Sequence, residues 1–270
     1  MRENKLVFSG FLIVVAALLV AVITPFAIPY SVNSTVHFTD KWLPSSLSHP
    51  LGTDDLGRDL LSVILWGTST DFTALVVVLG IALSIGILVG ATAGYLGGKF
   101  DEAIMRVTDV FLAFPSLILA MTFAAILGHA IINLTIAIAL VYWPDISRLV
   151  RGQVIAEKSK PYIESLRASG MSRYRILYKH ILPNTIQPVM IQLTFKAPWV
   201  IITLAGLNFL GFGPGPFTPD WGQLISNGYA YFFEAPNVVI FSGLALLIAS
   251  LSFNLLGDGL RDVLDPRLRR

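Results

Sequence analysis

The sequence predicts an all-α membrane protein with six transmembrane helices. Three observations carry this. The 270-residue chain is 54% hydrophobic and 13% charged, with a mean hydropathy of +0.71, whereas a soluble domain carries roughly a quarter charged residues. Apolar stretches near the length that spans a bilayer recur at about 6–28, 72–95, 104–128, 131–150, 185–210 and 238–257. These runs are continuous rather than alternating, which favours helices over a transmembrane barrel.

The first run follows Arg2 and Lys5. It exceeds the ~7–15-residue core of a secretory signal, and no small-x-small cleavage site closes it. Residues 1–30 are therefore expected to be a retained first transmembrane helix. Residues 31–70 form an external loop, with His49-Pro50-Leu51-Gly52-Thr53-Asp54-Asp55-Leu56-Gly57-Arg58-Asp59 and an amphipathic piece to Thr70. Residues 71–270 supply a core of five helices, including a polar cytoplasmic loop at 151–183.

Orientation follows from the cations, which favour the cytoplasmic side. With the N-terminus inside, sixteen Lys and Arg residues fall on inside segments and only Lys41 and Arg58 on outside ones. Eight of the sixteen lie between Arg148 and Lys179. Both termini are thus expected in the cytoplasm. The outer segment from Phe212 to Asn237 has no Lys or Arg and is rich in Gly, Pro and aromatics. Trp221, Tyr229, Tyr231, Phe232 and Phe233 suit an interfacial belt or sugar stacking.

Pro161 to Asn184 is a basic island between apolar walls. Pro161 suits a first helical turn, Gly170 a left-handed helix end, and Ser172 an N-cap. Pro183 is expected to end the second helix or to start the next span. Ile176, Leu177 and Ile181 form one apolar side, opposite Arg173, Arg175 and Lys179. Such a hairpin can lie on anionic lipid headgroups or fill a partner's groove and transmit a push.

The same segment resembles the cytoplasmic loop of importer-type ABC permeases, specifically the C-type permease subunit of the dipeptide/oligopeptide/nickel family. Glu164, Gly170 and Ile181-Leu182-Pro183-Asn184 match that loop, while Ser165 and Leu166 replace two alanines. Ser169 and Met171 stand where Leu and Ala are usual. Three further stretches are similar to the same family. The first is His49–Asp59. The second runs from Ala93-Gly94-Tyr95-Leu96-Gly97-Gly98 through Asp101, Met105-Arg106 and Asp109 to Phe114-Pro115. The third is Asn254 to Arg267.

The resemblance implies a type I ABC importer permease fold with cytoplasmic coupling helices. It implies four kinds of partner: a second, B-type permease in a heterodimer, two ATP-binding subunits, an external substrate-binding protein and membrane lipid. No nucleic acid is expected. Contacts to the ATPases would come from Tyr162, Glu164, Ser165, Leu166, Arg167, Ala168, Gly170 and Ser172. The cargo it implies is di- or oligopeptides, with oligosaccharides or nickel complexes as alternatives.

The remaining chemistry is sparse. There is no P-loop, since the one Gly-Lys pair, Gly98-Lys99, precedes Phe100. ATP and Mg2+ are therefore expected in the partner subunits, with no cofactor on this chain. The four histidines form no i, i+3 or i+4 pair and there is no cysteine, so no metal site is expected. No G-x-S-x-G elbow supports a hydrolase. An intramembrane protease or a lipid-anchored scaffold are the remaining alternatives. Lys196 falls inside the fifth apolar run. It lines the translocation path and meets a carboxylate of the substrate, pairs with Asp109 or Asp145, or snorkels to the interface if the helix begins later. Leu204 stands where the family usually carries Glu, and Leu207-Asn208-Phe209-Leu210-Gly211 replaces its usual run. Asp109, Lys196 and Asn208 are the candidate path residues.

Overall fold

The computed structural model describes residues 5–30 and 35–264; Arg2 and the basic end at Arg267, Arg269 and Arg270 lie outside them. Among the described residues the fold is helical, with one isolated bridge between Thr53 and Asp59. Four helices are long and apolar enough to cross a membrane, or five if one bent pair counts as a single span.

Helix α1 (Lys5–Ala27) packs against the last helix, α10 (Pro236–Leu264). Gly10 permits this: a Cβ there would stand 2.5 Å from Leu255 Cβ. Helix α2 (Leu60–Leu96) has 37 residues. It begins a dozen residues before the predicted span, so the piece to Thr70 belongs to the helix and not to the external loop. The cause is Asp59, whose carboxylate accepts the Ser62 amide at 2.9 Å and the Ser62 hydroxyl at 2.8 Å.

The motif before α2 is a clasp. Asp54 is fully buried and accepts the amides of Leu56 and Arg58, both at 2.9 Å, and the Arg58 Nε at 2.6 Å. Gly57 has a φ of +74°, and a Cβ there would meet the His37 carbonyl oxygen at 1.9 Å. The matched residues therefore fix how the chain enters α2.

The predicted 104–128 span is broken. Helix α3 (Gly98–Leu112) and helix α4 (Ser116–Leu127) meet at 90° across Phe114-Pro115. Pro115 forbids continuation because it lacks an amide hydrogen and pushes Phe114 out of the helical region. Helix α5 (Ile131–Lys158) runs well past 150. Its 28 residues are long enough to span, but Asp145, Arg148 and Arg151 interrupt its apolar character, so it is not among the four.

Helices α2 and α5 form the centre of the fold. Cβ atoms at Gly86, Gly90 and Gly94 would stand 2.6 Å from Ile146 Cγ2, 2.3 Å from the Ser147 carbonyl and 2.8 Å from the Arg151 carbonyl. This small-residue stripe, one glycine per turn, brings two backbones into contact where lipid supplies no hydrophobic drive.

After α6 (Pro161–Ala168), α7 (Arg173–Ile176) continues through a π-helical segment at Leu177–Ile181 into α8 (Leu182–Phe209). Of the two expected roles of Pro183, ending the second helix or starting the next span, the second holds. Pro183 sits in the first turn of α8, where its missing amide hydrogen costs little, and Arg173–Phe209 is one rod of 37 residues. Helix α9 (Trp221–Tyr229), capped by Asp220, lies across the end of the bundle away from the hairpin, against α8 and α10.

Candidate coupling hairpin and midplane cleft

The hairpin is built from α6, a glycine turn and α7. The Gly170 amide donates to the Arg167 carbonyl at 3.0 Å and the Met171 amide to the Leu166 carbonyl at 3.2 Å. With Gly170 at φ +80°, this pair of bonds is a complete Schellman end. Ser172 has the extended backbone of an N-cap, but its side chain makes no capping bond. Ile163, Ile176 and Ile181 are fully buried, and Leu166 and Met171 pack against the same core. Glu164, Ser165, Arg167, Ala168, Gly170 and Ser172 stay exposed. So do Tyr174 and Tyr178, whose positions the sequence left unremarked. The hairpin is thus a knob with an apolar root and a polar outer face.

Glu157 fastens that root. It is buried, and its Oε1 accepts the Tyr162 hydroxyl at 2.6 Å and the Asn184 side-chain amide at 3.1 Å; Lys160 Nζ reaches its Oε2 at 2.5 Å. Burial pushes its pKa up, but the three donors prevail and hold the carboxyl below its ordinary value of 4.5. The predicted contact residue Tyr162 therefore spends its hydroxyl inward. Sequence reasoning missed Glu157; the signal was an acid within a run of cations. Beside the knob lies a cleft of about 370 Å³, whose lining includes Glu164, Arg167, Lys158 and Asp101.

The candidate path residues do not form one set. Lys196 Nζ bonds Asp145 Oδ2 and lies 5.7 Å from the Tyr142 ring centroid. Asp109 accepts from Arg148 Nη2 at 2.5 Å instead. Asp145 and Arg148 are one turn apart on α5, so the two cross-helix ion pairs are neighbours. Lys196 and Asp145 line a cleft of about 290 Å³ with Tyr142, Trp199, Phe114 and Ser116. Asn208 is not among the residues lining it. It is fully buried near the outer end, donating to Asp220 Oδ1 at 2.8 Å, because α9 covers it.

Asp220 also accepts the Gln223 amide at 2.8 Å, and Asp71 accepts the Trp221 amide at 3.2 Å. Burial raises the Asp220 pKa to about 6 against the bonds it accepts. Trp221 is buried, with its indole donating to the Ile64 carbonyl at 3.2 Å and its ring edge-on to Phe72, so it offers no outer stacking face. Phe233, in contrast, is fully exposed.

A helical membrane fold with a broken span, a cross-helix ion pair and a protruding polar knob suits a transport subunit. Comparison with known proteins bears this out. Residues 86–270 match the family of binding-protein-dependent transport system inner membrane components. A dipeptide transport system permease protein DppC from Alkalihalophilus pseudofirmus is 37% identical over 269 residues, covering all of this chain and 88% of that protein. A glutathione transport system permease protein GsiD from Escherichia coli O157:H7 is 39% identical over 99% of this chain and 88% of its own length. A chain of the MetNI methionine ABC transporter, in an inward-facing conformation, superposes with a TM-score of 0.64 at 17% identity. The superposition covers 76% of this chain and 98% of that one. The protein belongs to the binding-protein-dependent transport system inner membrane component family: it is a multi-pass permease subunit of an ABC importer.

Proposed function

We propose that this chain forms one half of the translocation path of an ATP-driven importer of small peptides. The relatives named for dipeptide and glutathione transport support the cargo class. The second half would be a B-type permease, with two ATPases below and a binding protein outside. The chain itself is non-catalytic, and ATP with Mg2+ belongs to the ATPases. The bias of sixteen inside cations against two supports cytoplasmic termini.

One observation carries the coupling reading. The knob is rooted on the Arg173–Phe209 rod, which also bears Lys196. At 1.5 Å per residue that rod is about 55 Å long. A push on the exposed face of α6 is therefore delivered towards the cleft by one continuous helical element, interrupted only by its π-helical segment and by Pro188 and Pro198, as alternating access by rocking halves requires. Glu164, Ser165, Arg167 and Ala168 would meet the ATPase groove, with Tyr162, Leu166, Gly170 and Ser172 shaping the knob. Lys196 and Asp109 face the path, while buried Asn208 ties α8 to the outer segment.

Co-purification tests this. The double variant Glu164→Arg, Ala168→Glu should lose the ATPase subunits while retaining the partner permease. Full retention of the ATPases would refute docking through α6.

A further inference from the structure

The midplane cleft carries a more specific statement about cargo. Lys196 lies at the middle of the apolar run 185–210 on α8, and Asp145 lies within the apolar run 131–150 on α5. The Asp145 side chain is 45% exposed and that of Lys196 18%. A half-exposed carboxylate at that depth cannot face lipid, so this side of the chain faces water or protein.

A second observation falls on the same spot. The 90° break between α3 and α4 contributes Leu112, Phe114 and Ser116 to the cleft. Non-helical backbone within a membrane is tolerated where it lines a cavity or is buried in protein. A broken helix and an exchangeable ion pair thus meet in one space of about 290 Å³.

The geometry points to this cleft as a midplane station for a zwitterion, in which Asp145 takes the terminal ammonium and Lys196 the terminal carboxylate. Without cargo the two groups neutralise each other, which removes the cost of isolated charges in the membrane. A ligand with both charges replaces each partner by a like one, so passage leaves no charge unpaired. Trp199, 64% exposed, supplies a flat apolar face for whatever side chain lies between the ends, while the buried Tyr142 ring lies under the Lys196 ammonium. The cleft reads the two charged ends rather than the side chains, which suits a permease whose selectivity is set by a binding protein outside. Arg148 and Asp109, one turn along, form a second pair of the same kind.

This inference rests on the peptide-import reading, and the experiment separates the two. The complete complex is reconstituted in proteoliposomes with the binding protein saturated by a free-ended dipeptide, its N-acetyl form or its C-terminal amide. Lys196→Met is expected to slow the free-carboxylate forms about tenfold, the worth of one charge-assisted hydrogen bond, and to spare the amide. Asp145→Asn is expected to slow the forms with a free ammonium by a similar factor and to spare the N-acetyl form. Co-purification of the partner permease and ATPases checks that each variant assembles. A variant that does not assemble is replaced by the charge-conserving Lys196→Arg or Asp145→Glu, which should keep the free-ended dipeptide moving. If both single variants slow all three dipeptides equally, or charge reversal in Asp145→Lys, Lys196→Asp restores all three, the pair merely joins two helices and the inference fails. If the wild-type complex moves none of the three, the peptide reading fails and takes this inference with it.

Discussion

Substitution of Glu157 by Gln should loosen the hairpin without unfolding the chain. The carboxylate accepts three donors, from Tyr162, Asn184 and Lys160. Glutamine keeps the shape but offers one carbonyl, and its amide nitrogen would meet a donor. Lys160 is 54% exposed and returns to water, so its bond is left out of the estimate. The Tyr162 hydroxyl also accepts from Asn184 at 3.1 Å, which leaves those two groups partly satisfied. The net loss is about 1.5 kcal/mol, from two hydrogen bonds losing their charge assistance. That raises the open fraction of the hairpin roughly tenfold. Hydrogen exchange in the purified complex should therefore quicken about tenfold across 161–171, with α2 and α5 unchanged. The native carboxyl is held below 4.5. Its contribution is full above that value and is lost as the pH falls through the lower folded value. Protection of 161–171 should accordingly fall below pH ~4.5 in the wild type and not in Glu157→Gln. Equal exchange in both proteins at neutral pH would show that Glu157 does not hold the root.

Three further outcomes test the frame around it. Gly90→Leu should abolish the folded protein on thermal size-exclusion profiles, since even its Cβ would stand 2.3 Å from the Ser147 carbonyl, whereas Gly80→Ala, with nothing within 4 Å, should melt as wild type. At the outer end the sign of the pH effect reverses: burial raises Asp220 to about 6, so the folded state holds its proton more tightly and the α8–α9 junction gains protection as the pH falls from ~6 towards 4. Asp220→Asn, which still caps α9, should remove that gain in hydrogen exchange of 220–229. Deletion of Tyr178, an exposed residue in the π-helical segment, should leave a regular α-helix with Lys196 on its original face. ATPase binding should persist and the ratio of uptake to ATP hydrolysed should change; an unchanged ratio would mean that the segment has no part in coupling.

Much of the fold is legible in the sequence, because hydropathy reports burial in lipid directly. The apolar runs, the Gly170 break and the buried side Ile176, Leu177 and Ile181 all follow from local pattern. The amphipathic start of α2 read as loop because α9, whose Trp221 packs on it, is distant in sequence. Pro183 read as either an end or a start, because the π-helical segment that joins the two helices before it is invisible to propensity. The break at Phe114-Pro115 hid within a run of uniform hydropathy. Lys196 stood out at once, but its choice between Asp109 and Asp145 depended on how α3, α5 and α8 face one another. Asn208 looked like a path residue only because nothing local announces that α9 covers it.

The charged residues of α5 suggest which parts of the molecule move together. Along α5 towards the hairpin, Asp145 pairs with Lys196 on α8, Arg148 with Asp109 on α3, and Arg151 with Asp101 on α3 through two bonds of 2.5 and 2.6 Å. Lys158 then donates to the Tyr95 carbonyl of α2 at 2.5 Å, and Glu157 holds the hairpin. These links differ in how far water reaches them. Arg148 and Asp109 are 53% and 61% exposed, whereas Arg151 and Asp101 are 33% and 12% and Glu157 is 8%. An exposed pair is worth ~0–1 kcal/mol and can be exchanged cheaply, while a buried, bidentate one cannot. The ends of α2, α3 and α5 nearest the hairpin are therefore bound with it into one body, and the pairs that can open lie farther along α5. On the coupling proposed above, a push at the knob would move that body together with the Arg173–Phe209 helix, and the half-exposed Arg148–Asp109 pair is the link that exchanges most cheaply.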